Sequence, residues 1–312
     1  MIATLTMNPS VDHYLRVHKL TKDDAIRIQG DQWFAGGKGV NVSRVVHELG
    51  GRSCAFGLTG GMTGRMLTHW LDRAGIRQRF TEITNETRIN TTITDLSDRT
   101  QTHLRAPGPK VTGAELKRLC AQMHSLKEKP SFWVLAGSLP PGVPSDFYRR
   151  QIVRLKKAGV RCVLDSDDQA LVRGVQAAPF MIKPNEHEFK RLTGKACGSD
   201  SQIVAAARAL IKKGITLVLV TLGARGAVAV TAQEAFRVKA PPVKPLSRVG
   251  AGDSTIAGCL LALEKGATIQ KAVCYGVAAG TAAVLTEGTT LCSRREVERL
   301  FPLVHAVSIG HS

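Results

Sequence analysis

The residues Val249-Gly250-Ala251-Gly252-Asp253-Ser254 combine a turn of small residues with an acid. They run directly into the apolar, helix-like pattern Thr255–Leu261. Gly250 and Gly252 permit a tight turn that leaves the amides of Gly250, Ala251 and Gly252 free at a helix N-terminus. Unpaired donors and a partial positive charge at such an end attract phosphate. Asp253, beside that anion, can take a proton from an attacking hydroxyl; it can also simply cap the helix. An anion hole with an adjacent base is what phosphoryl transfer requires.

Other segments offer complementary chemistry. Asn8-Pro9-Ser10-Val11-Asp12 follows the strand-like Ile2–Met7, and ligands of open α/β sheets bind at the carboxyl ends of strands. A carboxylate at Asp12 can accept bonds from sugar hydroxyls or be an ordinary turn residue. Ser138 ends another strand. Trp33-Phe34-Ala35-Gly36-Gly37-Lys38-Gly39-Val40-Asn41 is a second glycine turn opening a helix, with Lys38 adding positive charge, and it lacks the spacing of a Walker loop. In Lys183-Pro184-Asn185-Glu186-His187-Glu188, Asn185 and Glu188 stand three apart. Their oxygens can hold a hydrated Mg²⁺ or form a capping box. Thr221-Leu222-Gly223-Ala224-Arg225-Gly226-Ala227 reads as strand, glycine turn and strand, a nucleotide shelter or a plain hairpin.

These segments need a scaffold that carries them to one edge. Strand-like runs at Ile2–Met7, Ser53–Leu58, Phe132–Ala136, Val160–Asp165, Phe180–Lys183, Thr216–Thr221 and Ala227–Val230 alternate with helix-like runs. The helix-like runs are Gly39–Leu49, Met62–Ala74, Ala114–Leu126, Ser145–Lys157, Gln202–Lys213, Gly252–Glu264, Ile269–Leu285 and Arg294–Phe301. The alternation predicts an α/β fold, a doubly wound, mostly parallel sheet with helices on both faces. Residues 11–34 and 87–105 break the rhythm with short strand-like segments and predict a small antiparallel β lid. No linker divides the chain, so a single domain over 1–312 is expected.

Composition narrows the classes. The chain has 312 residues, 43% of them apolar, enough for a substantial core. No apolar run reaches membrane-spanning length, and the N-terminus does not read as a secretory signal. Seven cysteines at 54, 120, 162, 197, 259, 274 and 292 form no C-x-x-C pair and read as reduced core thiols of a cytoplasmic protein. The net charge of +18 invites a nucleic-acid reading. The charges are scattered, however, and the densest cluster, Arg149–Lys157, looks like a solvated helix face. Only 5% of the chain is aromatic, so nucleic-acid binding is not expected and anionic small substrates are.

Taken in order, the segments resemble the ribokinase/PfkB family of ATP-dependent sugar kinases, over Met7 to about Arg295. The carriers are Ala35-Gly36-Gly37-Lys38-Gly39-Val40-Asn41-Val42-Ser43-Arg44 and Val249–Ser254. Leu5–Asp12 and Gly137-Ser138-Leu139-Pro140-Pro141-Gly142 resemble its phosphosugar branch. Stretches 159–166, 241–244, 276–283 and 288–293 are similar to the branch's 6-phosphofructokinases. Lys38, which replaces a glycine there, and Ala25, which replaces a lysine, point instead to kinases of fructose 1-phosphate or tagatose 6-phosphate.

The resemblance implies a ribokinase-like fold and transfer from MgATP to a hexose phosphate, fructose 6-phosphate first. It makes Asp253 the base and Gly250, Ala251 and Gly252 the anion hole. It implies Asp12, Gly37, Lys38, Asn41, Arg88 and Ser138 for the sugar phosphate, with Lys38 and Arg88 on its existing phosphate. It implies Lys183, Asn185, Glu188, Thr221, Gly223 and Gly226 for MgATP, with Mg²⁺ held through water at Asn185 and Glu188. Val277, Gly280 and Thr281 would lie near adenine, and Ser247, Val249, Ala283, Thr286 and Gly288 would offer oxygens to K⁺. It also implies a homodimer formed through the lid.

Overall fold

The computed structural model describes residues 1–309. In chain order the strands are β1 (Ile2–Thr6), β2 (Ser10–Val17), β3 (Ile28–Gly36), β4 (Ser53–Thr59), β5 (Gln78–Glu82), β6 (Arg88–Asp95), β7 (Gln101–Leu104), β8 (Phe132–Ala136), β9 (Arg161–Asp165), β10 (Met181–Ile182), β11 (Leu217–Thr221), β12 (Ala227–Val230), β13 (Ala235–Val238) and β14 (Ala306–Ser308). The helices are α1 (Lys38–Glu48), α2 (Gly61–Arg73), α3 (Gly113–His124), α4 (Phe147–Lys157), α5 (Asp168–Val175), α6 (Glu186–Thr193), α7 (Asp200–Ile211), α8 (Ala251–Glu264), α9 (Ile269–Ala283) and α10 (Arg294–Leu300).

The main sheet runs β14-β13-β12-β11-β10-β9-β8-β1-β4-β5. It is parallel from β5 to β11 and antiparallel from β11 to β14. The central strands are buried on both faces, which explains their unbroken apolar runs. Successive residues of β8 show the alternation. Trp133 and Leu135 pack with the layer of α3, α4 and α7, whereas Phe132, Val134 and Ala136 pack with α1, α8 and α9. The chain thus has the doubly wound architecture that its alternating pattern predicts.

A second sheet, in the order β3-β2-β6-β7, draws its strands from the two rhythm-breaking segments. β2–β3 and β6–β7 are antiparallel pairs, and a parallel seam, Ser10↔Arg88 through Val17↔Asp95, joins them. The reason lies in the exits: β1 and β5 are parallel members of the main sheet, and each feeds the small sheet from its carboxyl end.

Two features bear on the site. α8 and α9 meet through small residues. A Cβ on Gly258 would lie 2.9 Å from that of Ala279, and one on Gly276 would lie 3.0 Å from that of Cys259. On α4 the basic cluster points outward (Arg149, Arg150, Arg154, Lys156 and Lys157 are exposed) while Phe147, Tyr148, Ile152 and Leu155 are buried, the ordinary division of an amphipathic helix.

Candidate active site

The carboxyl ends of β1, β9, β10 and β11 converge with the N-termini of α1 and α8. Gly250 is the N-cap of α8, with φ 78°, a left-handed conformation suited to glycine. The first backbone bond of the helix runs from Ser254 N to Gly250 O, 2.8 Å. The first-turn amides, which have no partner within the helix, are those of Ala251, Gly252 and Asp253, one residue beyond the sequence reading, with Gly250 N just ahead of them. Gly37 caps α1 with φ 112°, and the helix starts at Lys38.

Asp253 is buried, and its Oδ2 accepts a bond from Asn41 Nδ2 at 2.8 Å. Burial, reinforced by the negative charge of Asp165, pushes its pKa up to about 6, against the pull of Lys38, Asn41 and Lys183. A carboxylate so tuned is ionised at neutral pH yet a stronger base than an exposed aspartate.

Beside it stands a residue to which sequence reasoning gave no role. Asp165 ends β9, is 1% exposed, and binds two ammonium groups: Lys38 Nζ at 3.1 Å and Lys183 Nζ at 3.6 Å. Burial opposes its charge, yet the two lysines hold its pKa below the ordinary value, and its Oδ2 has no hydrogen-bond partner. Burial likewise opposes the charge of Lys38, but Asp165, Glu188 and Asp253 outweigh it and raise its pKa. A Cβ on Gly252 would lie 2.9 Å from Lys183 Nζ, so this ammonium sits at the first turn of α8. The readable signal was an acid closing an apolar strand, as in Arg161-Cys162-Val163-Leu164-Asp165.

The residues expected to meet the sugar phosphate form a neighbouring network. Asp12, third residue of β2, is half-buried, and its Oδ1 accepts bonds from Ser10 Oγ at 2.7 Å and Asn90 Nδ2 at 3.1 Å. Burial raises its pKa, and Ser10, Asn90, Arg88 and Arg44 pull it back. Arg88 donates through Nη1 to Ala106 O at 2.7 Å and through Nη2 to Asn8 O at 2.8 Å, leaving its buried Nε unpaired. Asn8 Nδ2 reaches Pro107 O at 2.9 Å and Ser138 Oγ at 3.3 Å. Asn8 and Asn90 were missed; Asn8 lies in the bend between β1 and β2, and Asn90 sits opposite Asp12 on the parallel seam of the small sheet. The resemblance implied Lys38 and Arg88 for the existing phosphate, and in the structure each is held by its own partners. Lys38 pairs with Asp165 near the base, because α1 begins at Lys38 and directs it under the turn, while Arg88 stands with Asn8.

In the segments expected to meet MgATP, the capping-box alternative for Asn185 and Glu188 is realised. Glu188 N donates to Asn185 Oδ1, and Asn185 N donates to Glu188 Oε2, both at 2.8 Å. Asn185 bridges to Thr221 at the end of β11, and a single 3₁₀ turn, Gly223–Arg225, then leads through Gly226 into β12. Gly280 packs against Ala251 and Thr255 at the start of α8. Val277 and Thr281 are nearly covered, the Thr281 hydroxyl bonding to Val277 O at 2.8 Å. In the loop implied for K⁺, Ser247 Oγ accepts from Val249 N at 3.2 Å. Thr286 Oγ1 lies 2.9 Å from Ala283 O and 3.0 Å from Leu291 O. Gly288 turns back towards the small sheet.

A sequence profile of the pfkB family of carbohydrate kinases matches residues 5–296. This chain belongs to that family. The enzyme is therefore an ATP-dependent sugar phosphotransferase. The pfkB chain is 34% identical over 303 residues to an ATP-dependent 6-phosphofructokinase isozyme 2 of Mycobacterium tuberculosis, covering 97% of this chain and 89% of that one. It is 33% identical over 304 residues to a 1-phosphofructokinase of Bacillus subtilis, covering 97% and 98%. Among solved structures, phosphofructokinase-2 from Escherichia coli in complex with substrates and products superposes with a TM-score of 0.92 at 31% identity, covering 97% and 98%. An Arabidopsis thaliana ribokinase shares the fold, with a TM-score of 0.77 at 21% identity.

Proposed function

We propose that this pfkB kinase transfers the γ-phosphoryl group of MgATP to a hexose phosphate, converting fructose 6-phosphate to fructose 1,6-bisphosphate. The observation that carries the reading is the buried pairing of Asp253 with Asn41 at the N-terminal turn of α8, next to two lysines bridged by Asp165. Asp253 takes the proton of the acceptor hydroxyl. The 250–252 amides receive the charge growing on the phosphoryl oxygens, each such donor being worth roughly 3 kcal/mol. Lys38 and Lys183 neutralise the same charge. Asp12 orients sugar hydroxyls, and Arg88 and Ser138 hold the existing phosphate; the unpaired Arg88 Nε supports that role. The small sheet acts as a lid that keeps water from the phosphoryl group.

Mg²⁺ suits the donors present. Asn185 and Glu188 offer neutral and anionic oxygens, and Glu188 is close enough to raise the Lys38 pKa, so it faces the transfer centre. A hydrated Mg²⁺ held by these two residues would supply positive charge to offset that of the phosphates. K⁺ suits the 283–291 loop, because the one Thr286 hydroxyl proton serves only one of its two carbonyl neighbours, leaving oxygen for a weakly held cation. The Escherichia coli relative is described in complex with potassium.

The second reading is a 1-phosphofructokinase or tagatose-6-phosphate kinase. It is favoured by Lys38 and by the near-equal similarity to 1-phosphofructokinases of Bacillus subtilis and Borreliella burgdorferi. With Lys38 on Asp165 rather than beside Arg88, the lysine serves the moving phosphoryl and leaves the isomer to Arg88, Ser138 and the small sheet. A coupled ADP-release assay with fructose 6-phosphate, fructose 1-phosphate, tagatose 6-phosphate and fructose decides. The highest kcat/KM is expected on fructose 6-phosphate, and a higher value on fructose 1-phosphate would overturn the assignment.

A homodimer through the small sheet follows from its exposed apolar face, where Ile28, Trp33, Ile89 and Leu104 are each at least 40% exposed. Sedimentation is expected to give twice the chain mass, and Trp33→Asp to give the monomer. A relative from Escherichia coli is described as tetrameric in an inhibited form. The seven unpaired cysteines support a cytoplasmic location, and no helix among the described residues is long and apolar enough to cross a membrane.

A further inference from the structure

Between α9 and α10 the chain makes a loop, residues 284–293, that touches two otherwise separate parts of the molecule. At one end it meets the small sheet. Gly288 lies so close to Phe34 of β3 that a Cβ there would stand 2.8 Å from the ring, and 3.5 Å from the Tyr14 ring of β2. Those rings meet edge-on, with centroids 5.5 Å apart. Arg16, also on β2, lies 3.5 Å from the Glu287 carboxylate.

At its other end the loop presents Leu291, buried, with φ 68°. A branched side chain on a left-handed backbone is an outlier that persists only where its surroundings over-determine it, and such outliers gather at working sites. Here the Leu291 carbonyl accepts from Thr286 Oγ1 at 3.0 Å, and Thr290 N donates to Glu287 O at 3.2 Å, so the loop is tied across itself. The Leu291 side chain presses on Gly250 so closely that a Cβ at Gly250 would overlap it. Two consecutive demands thus meet in one contact: a glycine held left-handed at the N-cap of the base-bearing helix, and a leucine held left-handed on top of it.

The body of α8 has little room to respond, because α9 clamps it through Gly258, Gly276 and Gly280. The turn ahead of it, which ends in Gly250, is the part whose position is decided by what covers it. We propose that Leu291 is a positioning residue for the anion hole, and that its loop relays the position of the small sheet to the 250–252 amides. With Tyr14 and Phe34 seated on Gly288, Leu291 is held down on Gly250 and the amides face the phosphoryl group; if the sheet lifts, that support slackens. The proposal rests on the kinase reading above. It supplies a reason for ATP to be spent only when the sheet is seated.

Three variants test it. Leu291→Ala removes the contact and keeps the strained backbone. Leu291→Met restores bulk. Gly288→Ala disturbs the sheet end, away from the reacting atoms. Misplacing a catalytic group by about 1 Å costs on the order of 100-fold. Leu291→Ala is therefore expected to lower kcat about 10- to 100-fold with KM for both substrates within about threefold, and Leu291→Met to recover most of it. Gly288→Ala is expected to lower kcat in the same manner, and the double variant to be less than additive. Calorimetry with MgADP and aluminium fluoride, which needs no sugar turnover, is expected to show Leu291→Ala weakening that complex about as much as kcat falls, while binding of MgADP alone is unchanged. Equal kcat and equal aluminium fluoride binding in wild type and Leu291→Ala would overturn the positioning role, and additive effects of the two sites would overturn the relay. A wild type inactive on every phosphosugar that still tightens on aluminium fluoride would remove the acceptor reading and leave Leu291 to be judged by the fluoride measurement alone.

Discussion

Replacing Asp253 by Asn is expected to lower kcat by about 10²- to 10⁴-fold, the usual cost of losing a general base, with KM for MgATP little changed. Asn keeps an oxygen for Asn41 Nδ2 and leaves the helix turn in place, so the loss isolates proton transfer. The pH profile carries the same information. With the Asp253 pKa near 6, wild-type kcat/KM should rise about tenfold per pH unit below pH 6 and level off above it; the variant's residual activity should lack that limb. The stability prediction has the opposite sign to the usual carboxylate. The folded pKa lies above the ordinary aspartate value of 3.8, so the folded state binds the extra proton, and ionisation costs stability as pH climbs from about 4 to about 6. The variant is therefore expected to melt at or above the wild-type temperature at pH 7. Thermal melts and coupled assays on one preparation check both halves; wild-type turnover in Asp253→Asn would remove Asp253 from the chemistry.

The second large effect is expected at Asp165. Asp165→Asn leaves Lys38 and Lys183 facing each other without the anion between them. Breaking a buried pair by removing one partner costs about 3–5 kcal/mol, and the lower end applies here because Lys38 keeps 33% of its side chain in water. Denaturant titration should register that loss as a lower midpoint. Lys38 also loses the largest influence holding its pKa up, so the variant's activity should fall at a lower alkaline pH than the wild type's. An unchanged midpoint and an unchanged alkaline limb would mean that the two lysines are supported by something other than Asp165.

Much of this arrangement was legible in the sequence. The central strands read clearly because burial on both faces demands uninterrupted apolar residues, as in Phe132–Ala136 and Leu217–Thr221. The hairpin over 87–105 read clearly because Ser97-Asp98-Arg99 is a turn between alternating segments; Arg99 takes φ 60° there. The edge strands did not. Gln78–Glu82 and Ala306–Ser308 pair on one side only and are part polar, so their strand character comes from the neighbour and not from their own pattern. α5 was missed for a related reason: its eight residues are too few to show a helical period. In the site, glycines and the acid of a turn announce themselves locally. Asp165 does not, because its meaning depends on Lys38 and Lys183, 127 and 18 positions away, which only the sheet brings together. The same reason hid the pairing of Lys38 with Asp165 from the sequence reading.

The contact between α8 and α9 has a wider consequence. Glycines and alanines meet there in place of long side chains, so the surface supporting Asp253 has almost no rotamers to exchange. The helix that carries Asp253 is mounted on backbone, while Asp12 and Arg88, proposed above to meet the acceptor, stand on a small sheet with a partly exposed face. Movement of the small sheet can then reach the transfer geometry only through the turn at Gly250, where Leu291 rests, and not through the body of the helix. The small sheet can be reshaped for one sugar phosphate or another, provided that the seat of Tyr14 and Phe34 on Gly288 is kept.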